Sequence, residues 1–266
     1  MKTRNIKRWL AVIAAGLAAV ILIAAAGGAF LFRHELKTLY SLKKVDDNVL
    51  YTMKYDGDYG FDEFLETGAS SDRELVEFVT KRLLKGIPLE FSIPDLGCST
   101  FSAQTEDGDR VFGRNFDLTY SPALFVVTEP ENGYRSMSTV NLAFLGFGED
   151  KLPDTLKRKI ITLAAPYAPL DGVNEKGLAV KKFNFGNGQD RYEILEQALG
   201  ECAGIVKDEQ EAMGFLEAAS KDWHVSETTG RLNATQWSIV YNCTDLTASV
   251  ITGRQYDKPA HEFSLK

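Results

Sequence analysis

The chain has 266 residues, 44% hydrophobic and 25% charged, enough for a sizeable core in one or two domains. A net charge of −7 and a pI near 5.2 exclude a nucleic-acid binder, because phosphate contacts need clusters of Lys and Arg that the chain lacks outside its N-terminus. Cys98, Cys202 and Cys243 are too scattered for a disulfide scaffold or a zinc site, and His34, His224 and His261 sit in unrelated contexts, so no metal and no cofactor is expected.

Lys2, Arg4, Lys7 and Arg8 precede an uncharged run from Leu10 to Phe32, which Arg33, His34 and Lys37 close. As a helix the run spans about 35 Å, enough to cross a bilayer. Ala24, Ala25 and Ala26 resemble the small residues of a signal-peptide cleavage site, but the run exceeds the usual apolar region of about 7 to 15 residues. Residues 1–33 therefore read as an uncleaved single-pass anchor contacting the membrane through 10–32, with everything after Arg33 extracytoplasmic by the positive-inside bias. Residues 34–97 read as a pro-segment or linker, rich in acids such as Asp46, Asp47, Asp56, Asp58, Asp62 and Glu63. One helix is predicted there, from Asp72 to Leu84: Ser71 and Glu74 form a capping box, Val76, Val79 and Leu83 share a face, and Gly86 and Pro88 supply the stop.

From Cys98 the pattern changes to short strands, Cys98 to Thr105 and Arg110 to Phe116, joined through Glu106-Asp107-Gly108-Asp109. Further strands are predicted over Leu124 to Thr128, Arg135 to Leu145, Thr235 to Tyr241 and Thr247 to Thr252. Helices are predicted over Pro153 to Ala165, Arg191 to Cys202 and Asp208 to Ala219. Strand groups with separate helices imply an α+β chain of layered antiparallel sheets with helices outside. If Asp107 and Gly108 are the two central turn residues, Cys98 lies directly opposite Asp117 and shares its face. An internal thiol needs a base, and no histidine is near. Cleavage of Gly97–Cys98 would supply one, because a free α-amine has a pKa of about 7.7 to 8.0.

Gly97-Cys98-Ser99-Thr100-Phe101-Ser102-Ala103, the Asp107-Gly108 turn and Phe112-Gly113-Arg114-Asn115-Phe116-Asp117 resemble the opening hairpin of choloylglycine hydrolases and penicillin V acylases. Asp171-Gly172-Val173-Asn174-Glu175-Lys176-Gly177-Leu178 resembles their second signature, and Gln189-Asp190-Arg191-Tyr192 and Thr235-Gln236-Trp237-Ser238-Ile239-Val240-Tyr241 look like later segments. The resemblance implies an αββα N-terminal-nucleophile sandwich over residues 98–266 that hydrolyses a small-molecule N-acyl amide, of bile-salt or penicillin V type, through a cysteine thioester. By motif position it implies Cys98 as nucleophile, Arg114 supporting the thiolate, Asp117 holding the α-amine, Asn174 helping to stabilise the oxyanion, and Arg191 completing the polar cluster.

Simple alternation places Arg114 on the face opposite Asp117, so a bend or bulge near Asn115 is needed to bring both to Cys98. The connection between 178 and 188 is shorter than the resemblance implies, as if strands and an oxyanion-site asparagine had been deleted; Asn184 is a candidate substitute. An incomplete sandwich leaves a degenerate, non-catalytic membrane-anchored protein as the alternative reading, beside an acyltransferase of the same chemistry. Cys202 and Cys243 read as buried free thiols.

Overall fold

The structure is a computed structural model and describes residues 2–92, 97–181, 188–225, 230 and 232–266. The chain runs through α1 (Lys2–Leu31), α2 (Arg33–Ser41), β1 (Lys43–Asp46), β2 (Leu50–Lys54), α3 (Phe61–Thr67) and α4 (Asp72–Arg82). After these come β3 (Gly97–Thr105), β4 (Arg110–Leu118), β5 (Ala123–Thr128), β6 (Ser136–Asn141), α5 (Leu156–Ile161), β7 (Asp171–Asn174) and β8 (Ala179–Lys181). It ends with α6 (Gln189–Glu201), β9 (Ile205–Val206), α7 (Glu209–Ala218), β10 (His224–Val225), β11 (Leu232–Asn242), β12 (Thr247–Thr252) and β13 (His261–Ser264).

These strands form two sheets, one ordered β1-β2-β5-β6-β7-β8 and the other β13-β12-β11-β4-β3-β9, with β10 on β11. Pairing is antiparallel except at β2–β5 and β3–β9, so the expectation of antiparallel sheets holds with two exceptions. The parallel β2–β5 pair has a topological cause: after β2 the chain leaves the first sheet, makes the β3–β4 hairpin of the second, and returns as β5.

Three apolar clusters hold the layers. Leu50, Phe125, Met137 and Val173 of the first sheet meet Phe112, Phe116, Trp237, Ile239 and Tyr241 of the second. Trp237 stacks on Phe116 with centroids 4.1 Å apart, and Phe125 stacks on Phe263 across the sheets at the same separation. The other face of the first sheet, through Tyr51, Met53, Leu124 and Val126, packs under Val79, Leu83 and Leu84 of the α4 region and a 3-10 turn at Thr162–Tyr167. Phe101, Val111, Val240 and Ile251 on the other face of the second sheet pack against Leu195 of α6 and Met213 and Leu216 of α7. Each such side chain contributes about 1.5–3 kcal/mol by leaving water.

The segment before the hairpin, expected as pro-segment or linker, is built into these layers. β2 pairs along its whole length with β5, and Leu50 and Leu84 are fully buried. Asp46 of β1 accepts hydrogen bonds from Thr252 Oγ1 at 2.5 Å and His261 Nε2 at 2.7 Å, tying the segment to the second sheet. α1 stands apart. Its Ile13–Leu31 span has a mean hydropathy of 2.3, is long and apolar enough to cross a membrane, and is not buried against the rest of the protein.

Local chemistry explains most boundaries. Ser71 caps α4 by accepting from Glu74 N–H, while the Glu74 carboxylate reaches back to Ser70 N–H at 2.7 Å, one residue earlier than a strict capping box. The strand predicted over Arg135 to Leu145 stops at Asn141, whose side chain accepts from Ala143 N–H and turns the chain into a 3-10 segment. The helix predicted over Pro153 to Ala165 is divided into α5 and the 3-10 turn at Thr162–Tyr167.

Candidate active site

The β3–β4 hairpin sets the geometry, and its turn differs from the expected one. Gly108 N–H donates to Thr105 O, Thr105 N–H donates to Asp109 O, and Gly108 takes a φ of 94°, so the loop is the three residues Glu106-Asp107-Gly108. A left-handed glycine after a tight turn is the usual way to close such a loop. Counting outward, Cys98 pairs with Phe116 and Gly97 with Asp117, correcting the expected Cys98–Asp117 register by one residue. A one-residue slip exchanges the faces. Cys98, Thr100, Arg114 and Phe116 therefore share the face toward the first sheet, and Asp117 lies on the helix side. No bend is needed at Asn115; the irregularity is on β11, between Thr235 and Trp237. Gly113 is required here, because an ideal Cβ would sit 2.4 Å from the ring of Phe101.

On the thiol face, Arg114 is fully buried and donates through Nη2 to Cys98 Sγ at 3.1 Å. Its Nη1 donates to Leu170 O at 2.6 Å and to Asp171 Oδ2 at 2.8 Å. Asp171 in turn accepts from Thr139 Oγ1 at 2.7 Å and Tyr241 OH at 2.6 Å. Burial opposes the charge on Arg114, but Cys98 and Asp171 outweigh it and hold the guanidinium protonated beyond its ordinary range. Cys98 is half-buried. Beside it, Lys181 of β8 pairs with Asp171 and its ammonium donates to Thr100 Oγ1, bridging the edge of the first sheet to β3. Desolvation and the nearby Arg114 lower the Lys181 pKa, against an opposing contribution from Cys98.

On the helix face, Asp117 is buried and accepts from Arg191 Nη1 and, at 2.5 Å, from Thr235 Oγ1. Burial raises its pKa, only partly offset by Arg191 and Thr235. Arg191 reaches it from the first turn of α6, where Gly188 leaves room: a Cβ there would meet Arg191 Nη2 at 2.3 Å. Below, Asn115 donates to Leu216 O at 2.7 Å and accepts from Ser238 Oγ at 2.5 Å, fixing α7 to the sheet.

No protein family, curated protein or solved structure matches this chain. Four of the five expected residues, Cys98, Arg114, Asp117 and Arg191, converge on the open end of the hairpin from two faces. Asn174 does not. Its Oδ1 accepts from Lys176 N–H at 3.0 Å and Leu178 N–H at 3.1 Å within the β7–β8 turn. It also lies three residues along β7 from Asp171 and, by alternation, on the opposite face. Asn184, the candidate substitute, falls in 182–187, outside the described residues. Asp171, Thr139, Tyr241, Thr235 and Lys181 were not expected as site residues; the only signal for them was that Asp171, Thr235 and Tyr241 fall inside the quoted motifs. Among the described residues no cluster of His, Cys, Asp and Glu could hold a metal.

Proposed function

We propose that the chain is an N-terminal-nucleophile amide hydrolase of the choloylglycine hydrolase type, an αββα sandwich in which Cys98 attacks the carbonyl of an N-acyl amide. The observation that carries this reading is the guanidinium of Arg114, fully buried, pinned by Asp171 and Leu170, and donating to the Cys98 sulfur. A core cysteine has no use for a buried cation. A nucleophile does, because the guanidinium stabilises negative charge on sulfur.

The two-faced arrangement suits a terminal cysteine. After cleavage of Gly97–Cys98 the thiol extends onto the Arg114 face, while the α-amine lies at the chain end, next to where Gly97 pairs with Asp117. The amine accepts the thiol proton, the thiolate attacks, the C–N bond of the substrate breaks as the amine returns the proton to the leaving nitrogen, and water resolves the thioester. Asp117 and Arg191 hold the amine end from the helix side. On the thiol side, alternation from the Ala234–Leu118 pair carries Leu232 and its partner Val225 onto the face of Cys98, and both are exposed, offering apolar contact to an acyl chain. α1 anchors this body to a membrane, with the hydrolase outside the cytoplasm.

The reading is tested by incubating the purified chain with a panel of N-acyl amides and sequencing its N-termini. Turnover lost in Cys98→Ala supports it; turnover retained in that variant overturns it. One observation favours a degenerate relative instead. Leu178 and Val180, at and just before β8, are 61% and 59% exposed, as a shortened sheet would leave them. Thiol labelling at Cys98 without turnover of any amide would decide for that alternative.

A further inference from the structure

Resting on the proposed nucleophile, a question remains about the intact chain. Before cleavage the Cys98 nitrogen is an amide and cannot act as a base, so the first reaction, scission of Gly97–Cys98 itself, needs another proton acceptor. The sequence offers no nearby histidine: His34 hydrogen-bonds Asp56, His261 hydrogen-bonds Asp46, and the His224 ring engages Asp222 O. Arg114 cannot accept a proton.

We infer that Lys181, acting through the Thr100 hydroxyl that it holds, takes up the Cys98 proton in the uncleaved chain and so drives the scission. Thr100 is two residues from Cys98 on the same face of β3 and pairs with Arg114. β8 puts Lys181 across this face, opposite Asp171, whose carboxylate Arg114, Thr139 and Tyr241 already occupy. Among the described residues, the titratable and charged groups on this face beside Lys181 include Cys98, Arg114, Asp171 and Tyr241. Desolvation and the Arg114 charge, against an opposing contribution from Cys98, make its amine easier to deprotonate than an ordinary lysine.

The step balances without a cofactor. The thiol gives its proton to the Thr100 hydroxyl as that hydroxyl gives its own to the lysine amine, and the thiolate attacks the Gly97 carbonyl carbon. The C–N bond to Cys98 breaks, with the ammonium returning the proton to the departing nitrogen. The result is a Gly97 thioester on Cys98 sulfur and a free α-amine; water then hydrolyses the thioester, leaving a Gly97 carboxylate and the thiol. Lys181 is needed once, after which the α-amine takes over.

The test follows freshly synthesised full-length chain in detergent by intact mass, measuring the rate of scission between Gly97 and Cys98 across pH. In the wild-type chain the rate should rise with pH as Lys181 gives up its proton. Lys181→Met should slow scission by about 100-fold, the scale of one general base. Lys181→Arg keeps the charge and the hydrogen bond but accepts no proton, so it should be slow as well and lose the rising limb; it decides the matter if the methionine variant misfolds. Scission at the wild-type rate with an unchanged pH profile in Lys181→Arg overturns the inference and leaves the amidase reading standing. A wild-type chain that never cleaves overturns both.

Discussion

Two arginine–aspartate pairs flank Cys98 from opposite faces of one hairpin, and their surroundings differ. Arg114 and Asp171 are completely buried between the sheets, where they bond to each other and to the thiol, a carbonyl, a threonine and a tyrosine. Arg191 and Asp117 lie under the helices, and the carboxyl is held so poorly against burial that its pKa is raised. The thiol side is built on a guanidinium that keeps its proton. The Asp117 side is adjustable, because its carboxyl takes up a proton more readily than an ordinary one.

The sides also differ in what they rest on. The cluster between the sheets includes Leu50, from before Cys98, whereas among the described residues the cluster under α6 and α7 includes none earlier than Phe101. The largest expected effect follows. A chain starting at Cys98 and lacking residues 34–92 should fail to unfold cooperatively in urea, because the thiol face loses its support. A chain cut at Gly97–Cys98 but retaining both pieces should elute as one species in detergent. Separation of the pieces without denaturant would break the comparison.

Removing one partner from each pair sharpens it. Asp171→Ala leaves Arg114 buried and uncompensated, at an expected cost of about 3–5 kcal/mol in urea unfolding. Arg191→Ala leaves Asp117, which can neutralise itself by protonation, and should cost only about 1–3 kcal/mol. Equal losses would mean that the two pairs are equivalent.

A pH effect comes next. A carboxyl whose pKa is raised on folding stabilises the protein most when protonated, so the Asp117 contribution is full below the unfolded value, about 3.9, and is lost as pH rises through the higher folded value. Stability measured by urea unfolding should show this decline. Asp117→Asn should flatten it while impairing turnover, with the fold intact; an unchanged profile would contradict the burial argument.

How much of this was legible in the sequence can be argued from the hairpin. The Asp107-Gly108 turn identified the two strands, but which residues close a turn depends on backbone angles and on Thr105, so the register came out one residue off. That slip placed Asp117 with Cys98 and Arg114 on the wrong face, and the bend invented to repair it is absent. Residues that meet over long separations, such as Arg114 with Asp171 or Lys181 with Thr100, leave no local periodicity to detect. β2 was missed for a related reason: its burial comes from β5, whose paired residues lie 73 positions further along, and not from its own short pattern. The motif around Asn174 gave no sign that its Oδ1 is taken up by its own turn, because that depends on how the β7–β8 connection closes.

The smallest expected effect is at the sheet edge. Val180→Lys on β8 should change unfolding free energy by less than about 0.5 kcal/mol, since the side chain is already in water, while reducing self-association seen by light scattering. A large loss of stability would mean that this edge is covered.

The most direct measurement is the mass of the protein quenched during turnover of an N-acyl amide. The account predicts a fragment beginning at Cys98 and carrying the acyl group on that residue. Ordinary turnover by a chain whose Gly97–Cys98 bond is quantitatively intact, or an acyl group on any other residue, would contradict it.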